Sequence, residues 1–168
     1  MGLRLRPFTL SDQSAARAAH DELTAEGFAF LLAREPQEPW AAYVQSLWDH
    51  RRGSELPPGW VPHTFLAADV DGVLVGRVSI RHELDEWLEN FGGHIGYAVR
   101  PDYRRRGFAT EILRQALVVA RAEGVEEALL TCNDDNVVSA KIIERVGGEL
   151  EDVRTEPGGK AKRRYWIR

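Results

Sequence analysis

Apolar and polar positions follow two periods along the chain, and each change of period marks an element. Leu3, Leu5 and Pro7-Phe8 alternate with Arg4 and Arg6, which predicts a short first strand. Thr9, Ser11 and Asp12 supply helix-capping groups, and helical spacing follows over Ser14 to Leu23 and Trp40 to Trp48, on either side of a segment holding Pro36 and Pro39. Leu56-Pro57-Pro58-Gly59 ends the second helix. His63 to Val70 and Val73 to Ile80 read as strands joined at Asp71-Gly72, a hairpin signal. His94 to Val99 is a further strand. From Ala109, the apolar residues Ile112, Leu113, Ala116, Leu117 and Ala120 recur at helical spacing until Gly124. Ala128 to Cys132 is a short buried strand, and Asn133 to Asn136 cap a helix running through Ile142, Ile143 and Val146 to Gly147-Gly148. Strands around Leu150 to Thr155 and Arg164 to Ile167 flank Pro157-Gly158-Gly159.

The order is β-α-α-β-β-β-α-β-α-β-β. The hairpins are antiparallel and the central β-α-β is expected to be a right-handed parallel crossover. The fold class is α/β (α+β): a mixed, mostly antiparallel sheet of about seven strands with about four flanking helices. There is no repeat and no low-complexity tract.

Size and charge narrow the classes of function. The 168 residues suit one domain, 1–168, and 43% hydrophobic with 29% charged residues is an ordinary globular composition. A formal net charge of −4 opposes general nucleic-acid affinity, so the Arg104-Arg105-Arg106 triplet is a local feature. One cysteine, Cys132, allows no internal disulfide. No signal-peptide h-region and no run of about 18 apolar residues is present, so the expectation is a cytoplasmic chain without membrane partners.

The sharpest chemistry lies in Gly96-Tyr97-Ala98-Val99-Arg100-Pro101-Asp102-Tyr103-Arg104-Arg105-Arg106-Gly107-Phe108-Ala109-Thr110. A strand, a basic turn and a helix start present several backbone N–H groups where a phosphate can dock. Neither a Walker A motif nor G-x-G-x-x-G is present. Arg104, Gly107 and Ala109 instead fill an R-x-x-G-x-A pattern that resembles the signature loop of the GNAT acyltransferase superfamily. The element order is similar over nearly the whole chain. Arg81-His82-Glu83-Leu84, Gly92 to Tyr97, Asn136-x-x-Ser139-Ala140-Lys141 and Gly147-Gly148 resemble one bacterial branch of predicted acetyltransferases.

That resemblance implies acetyl-coenzyme A as co-substrate and no metal. It implies that the backbone of Ala98 and Val99 pairs with the pantetheine amides, between splayed strands Ile95 to Val99 and Ala128 to Cys132. The stretch Arg104, Arg105, Arg106, Gly107, Phe108, Ala109 and Thr110 would hold pyrophosphate, and Asn136 with Ser139 would contact pantetheine. A Tyr seven residues after the Asn often protonates the thiolate in relatives; here that position is Ile143.

His94 is the leading base, set where relatives often carry a Glu, with a structural histidine as the alternative. Glu83 is the second catalytic candidate, against an exposed carboxylate at a helix start. Arg81 and His82 are candidates for substrate binding, Arg81 through a substrate carboxylate. Cys132 reads more simply as a buried small residue than as a nucleophile, and Tyr97 and Tyr103 are further acids to consider. Trp40, Trp48, Trp60 and Trp87, with Glu83, Asp85, Glu86 and Glu89, either line a pocket for a cationic amine or pack as core. The expected activity is acetyl transfer to a primary amine of a small molecule, amino acid or peptide by direct attack in a ternary complex. The alternative is a non-catalytic acyl-CoA-binding module. A third class, binding nucleic acid through Arg100, the triplet and Lys160, Lys162, Arg163 and Arg164, is disfavoured by the net charge. Monomer and homodimer are both compatible with the sequence.

Overall fold

In the computed structural model, which describes residues 2–168, every predicted strand and helix forms in the predicted order. The elements are β1 (Leu3–Pro7), α1 (Gln13–Thr24), α2 (Trp40–Arg51), β2 (His63–Val70), β3 (Val73–Arg81), β4 (Ile95–Val99), α3 (Phe108–Ala122), β5 (Ala128–Asn133), α4 (Val137–Arg145), β6 (Glu149–Thr155) and β7 (Ala161–Ile167). At the β2–β3 turn, Asp71 and Gly72 both take positive φ, 52° and 85°, the twist that lets a two-residue turn close a hairpin. Leu88–Gly92 forms a π-helical turn ahead of β4.

β1-β2-β3-β4 form one antiparallel sheet and β5-β7-β6 another. The first sheet is covered on both faces, so β2 and β3 are buried along almost their whole length. One face, with Leu66, Ala68, Val78, Ile80, Ile95 and Val99, packs on Ile112, Leu113 and Ala116 of α3. The other, with Phe65, Ala67 and Leu74, packs on Ala16, Ala19 and Leu23 of α1 and on Trp40, Tyr43 and Leu47 of α2. The period of two therefore sends alternate residues of β3 to different layers.

The expected parallel pair, β4 and β5, shares no ladder. The two strands are joined at their starts. His94 donates its N–H to Leu129 O at 2.7 Å, and Leu129 N–H donates to His94 Nδ1 at 2.9 Å. His94 falls just outside β4 for the same reason: its N–H is spent on β5 rather than on β3. Beyond that joint the strands part, leaving Gly96, Tyr97 and Ala98 half-exposed at the edge of the first sheet.

Candidate active site

The basic loop follows β4 and opens α3. Arg105 and Gly107 take positive φ, 63° and 79°, and Gly107 occupies the helix N-cap with no side-chain capping bond. A Cβ at Gly107 would meet nothing within 4 Å, so the glycine serves the backbone conformation rather than a tight contact. The first helical bond is Glu111 N–H to Gly107 O at 3.2 Å. The N–H groups of Phe108, Ala109 and Thr110 have no partner among the described residues. Four such donors per helix start, with the positive end of the helix dipole behind them, favour an anion. The Phe108 side chain is buried in the core, which leaves its backbone to the site.

The three arginines differ. Arg104 Nε donates to Val99 O at 3.0 Å and its Nη atoms clasp Glu26 at 3.1 and 2.7 Å, which holds the Glu26 carboxyl below its usual range. Arg106 donates to Asp102 O at 3.1 Å and lies over the Tyr103 ring, while Arg105 is exposed with no partner among the described residues. The loop is braced by Arg100, whose guanidinium meets Glu22 of α1 at 2.7 and 2.9 Å.

Along β4 the direction of the backbone groups follows from two bonds. Arg81 N–H donates to His94 O at 2.7 Å and Arg100 N–H to Val75 O at 2.8 Å. In an antiparallel ladder, bonded and non-bonded pairs alternate. Gly96 and Ala98 therefore turn their N–H and C=O toward β3, and Tyr97 and Val99 turn theirs to the open edge. The carbonyl of Val99 already accepts Arg104, so Tyr97 offers both groups and Val99 its N–H. Ala98, expected at the open edge, is turned toward β3 for this geometric reason, and Tyr97 stands at the edge in its place.

On the far side of the opening, Asn136 caps α4, its Oδ1 accepting Ser139 N–H at 3.1 Å. Ser139 Oγ lies 3.2 Å from Tyr97 Oη, bringing a phenol from β4 against the first turn of α4. Burial pushes the Tyr97 phenol upward, so it carries its proton at neutral pH. Ile143 is fully buried in the core. Cys132 is 7% exposed and burial raises its thiol, the reverse of what a nucleophilic thiolate needs.

His94 is 7% exposed and burial lowers its pKa to about 4. Its Nδ1 lone pair accepts Leu129 N–H, so the neutral ring carries its proton on Nε2 and has no free lone pair for a base. Glu83 is exposed in the bend after β3, with no hydrogen bond or ion pair among the described residues. His82 turns to the opposite face of β3 from Arg81. Its Nε2 is 2.8 Å from Thr64 Oγ1 and 3.8 Å from Glu123, just past the C-terminal end of α3. A helix of 15 residues spans about 22 Å, so His82 and the loop mark opposite ends of α3.

The four tryptophans do not share a pocket. Trp40 is buried against Phe8 and Tyr43, and Trp60 packs on His63. Trp48 is exposed at the end of α2, and Trp87 lies tilted against Phe91 and donates to Glu156 at 2.7 Å. An open hollow of about 410 Å³ between the starts of α1 and α2, lined by Leu10, Arg17 and Trp40, is away from the β4 edge. Sequence reasoning missed Arg77. Its guanidinium is buried on the face that carries Arg81, although a charged residue inside the apolar run Val73 to Ile80 was a visible signal. Among the described residues, no cluster of three metal-ligating side chains occurs and no helix is long and apolar enough to cross a membrane.

The profile described as an acetyltransferase (GNAT) domain matches residues 2–149. N-alpha-acetyltransferase 30 of Schizosaccharomyces pombe is 26% identical over 117 residues, 70% of this chain and 72% of that protein. An acetyltransferase of Yersinia pestis is 30% identical over 95 residues, 54% of this chain and 61% of that protein. Among solved structures, the microcin C7 self-immunity acetyltransferase MccE, in complex with acetyl-CoA and AMP, superposes with a TM-score of 0.72 at 16% identity. That superposition covers 98% of this chain and 91% of MccE, and it shows the shared fold. With the loop, the splayed strands and the capped α4 helix in place, the chain belongs to the GNAT family of acetyltransferases.

Proposed function

We propose that residues 1–168 form one N-acetyltransferase domain that uses acetyl-CoA to acetylate a primary amine of a small molecule, amino acid or peptide. The observation that carries this reading is the opening between β4 and β5, joined at His94–Leu129 and leading to the unpartnered N–H groups at the start of α3. Those donors fit a pyrophosphate, and the free Tyr97 edge fits the amides of a pantetheine arm as it would a peptide strand. Arg105 and Arg106 add charge beside the phosphates, and Asn136 and Ser139 flank the arm. MccE and a Salmonella typhimurium acetyltransferase of the same fold were solved with acetyl-CoA, which supports the same donor here.

When bound, acetyl-CoA supplies an activated thioester. The amine nitrogen forms a bond to the acetyl carbon as the carbon–sulfur bond breaks. The amine attacks in its neutral form, having lost its ammonium proton to water. The second proton on nitrogen leaves to water as the amide forms, the departing thiolate takes the proton of the Tyr97 phenol, and the phenolate regains one from water. This assignment puts the acid on β4, in place of the α4 tyrosine that Ile143 removes. His94 is then a strand joint rather than the base. Thiol release from acetyl-CoA across an amine library tests the reading. Release above the hydrolysis background with at least one amine supports it; binding without release returns the chain to a sensor role.

A further inference from the structure

We infer that the acceptor is a small amine that also carries a carboxylate, as a free amino acid does, and that Arg81 binds the carboxylate. The inference rests on the donor reading above.

Arg77, Ser79 and Arg81 alternate along one face of β3. Arg77 and Ser79 pair across the strand with Ala98 and Gly96 of β4. Small residues thus form a floor with a guanidinium at each end. Arg77 is 3% exposed and donates to Phe30 O, Ala29 O and Gly96 O at 3.1, 2.9 and 3.2 Å. It also lies over the rings of Phe28 and Phe65. Its hydrogen bonds are met by neutral groups, so its charge is not. Burial lowers its pKa to about 9, still charged at neutral pH.

Arg81 is half-buried, and its Nη1 makes long contacts to Gly93 O and Gly92 O at 3.3 and 3.4 Å. Nε and Nη2 have no partner among the described residues. That edge of the fork is the one that takes a carboxylate through two parallel bonds. Asp85 is near enough to favour the charge, but its Oδ1 accepts Leu88 N–H at 2.8 Å. Arg6, Arg51, Arg100 and Arg164 each reach a carboxylate at 2.6–2.8 Å, whereas half-buried Arg34, away from β4, donates only to Glu38 O. Arg77 and Arg81 have no carboxylate within 4.0 Å among the described residues.

The position fits the chemistry. A Cβ on Gly96 would stand 3.7 and 3.9 Å from Arg81 Nη1 and Nη2, so the space over Gly96 borders this guanidinium directly. Tyr97, the next residue, presents its backbone to the opening. A carboxylate on Arg81 leaves the amine of the same small molecule facing that edge. A purely cationic amine would meet two positive charges with no carboxylate within 4.0 Å among the described residues, whereas a zwitterion answers one of them. The remaining positive field lowers the ammonium pKa and raises the share of neutral amine that attack requires.

The test measures thiol release by the full chain with each common amino acid and with its matching carboxamide. At least one amino acid is expected to exceed its carboxamide by about 100-fold in kcat/KM, below the roughly 10⁴–10⁵ of an enclosed polar site because Arg81 is half-buried and the carboxamide keeps one acceptor oxygen. Arg81→Gln should bring the pair close to parity by raising KM for the acid alone, and Arg81→Lys should restore part of the preference. Acetyl-CoA affinity by calorimetry, unchanged in both variants, reports that they are folded. Carboxamides turned over as well as acids, or a preference that survives Arg81→Gln, would overturn the inference. Acetyl-CoA binding with turnover only of amines lacking a carboxylate overturns it alone, whereas no acetyl-CoA binding overturns the donor reading beneath it.

Discussion

The two ends of β4 are built on opposite plans. After its C-terminal end, contiguous residues leave backbone N–H groups unpartnered, the cradle we propose for an anion, and the side chains mostly brace it: Phe108 in the core, Arg104 on Glu26. At its N-terminal end the backbone is spent on neighbouring strands, and the side chains of Arg77 and Arg81 on β3 reach Gly96. The donor end should therefore tolerate side-chain changes and fail when the backbone is disturbed. The acceptor end should behave the other way round.

The largest effect is expected between the two ends, at Tyr97→Phe. Loss of the phenol proton should lower kcat by roughly 100-fold, within the range for a general acid, with acetyl-CoA affinity held within about twofold. Single-turnover kinetics and calorimetry separate the two quantities, and an unchanged kcat removes Tyr97 from the chemistry. Next, Gly107→Val forces a β-branched residue to φ near 79°, worth about 1–3 kcal/mol, and should weaken acetyl-CoA about 10- to 100-fold by calorimetry while the far-ultraviolet circular dichroism stays the same. Normal affinity would mean that the loop conformation is not what binds.

His94→Ala tests the other end. It leaves Leu129 N–H without its acceptor and should cost about 1–3 kcal/mol in urea unfolding. The sign of the pH dependence follows from the lowered pKa. The folded imidazole stays neutral down to about pH 4, whereas the unfolded chain takes a proton below about 6.5. Acid therefore favours the unfolded state, and stability falls as pH drops from about 6.5 toward 4, on the order of 2–3 kcal/mol for a fully expressed shift. The variant should lose that share of the slope and keep the share of His63, whose pKa burial also lowers to about 4. Equal slopes in both proteins contradict the strand-joint role, and an acid limb in kcat/KM that vanishes with His94 would restore the base. The smallest effect belongs to the donor side chains: Arg105→Ala should weaken acetyl-CoA by only about twofold to fivefold, as befits an exposed charge.

The same contrast decides what the sequence made legible. Strand and helix order, the Asp71-Gly72 hairpin, the α3 face and the cap at Asn136 are local patterns, and each formed where the pattern lay. The unpartnered N–H groups at the start of α3 were legible because that backbone is contiguous. The acceptor side depended on which groups meet across strands, and no local pattern carries that. His94 has the composition of a base, but its lone pair is committed to a residue 35 positions away. His82 adjoins Arg81 in sequence and faces the opposite layer, because a strand alternates. The tryptophans, grouped by residue type alone, belong to separate clusters. Arg77 and Arg81 carried one readable signal, two arginines four apart in a strand and hence on one face, but not that both lack a carboxylate.

On the proposed function, the opening beside β4 and the start of α3 form one continuous donor site. Titration of acetyl-CoA into ¹⁵N-labelled protein, followed through the backbone amides, tests it most directly. Saturable shifts are expected at Tyr97, Val99 and Arg105 to Thr110 together, with one common dissociation constant. Amides at those positions that stay unmoved at millimolar acetyl-CoA would contradict it.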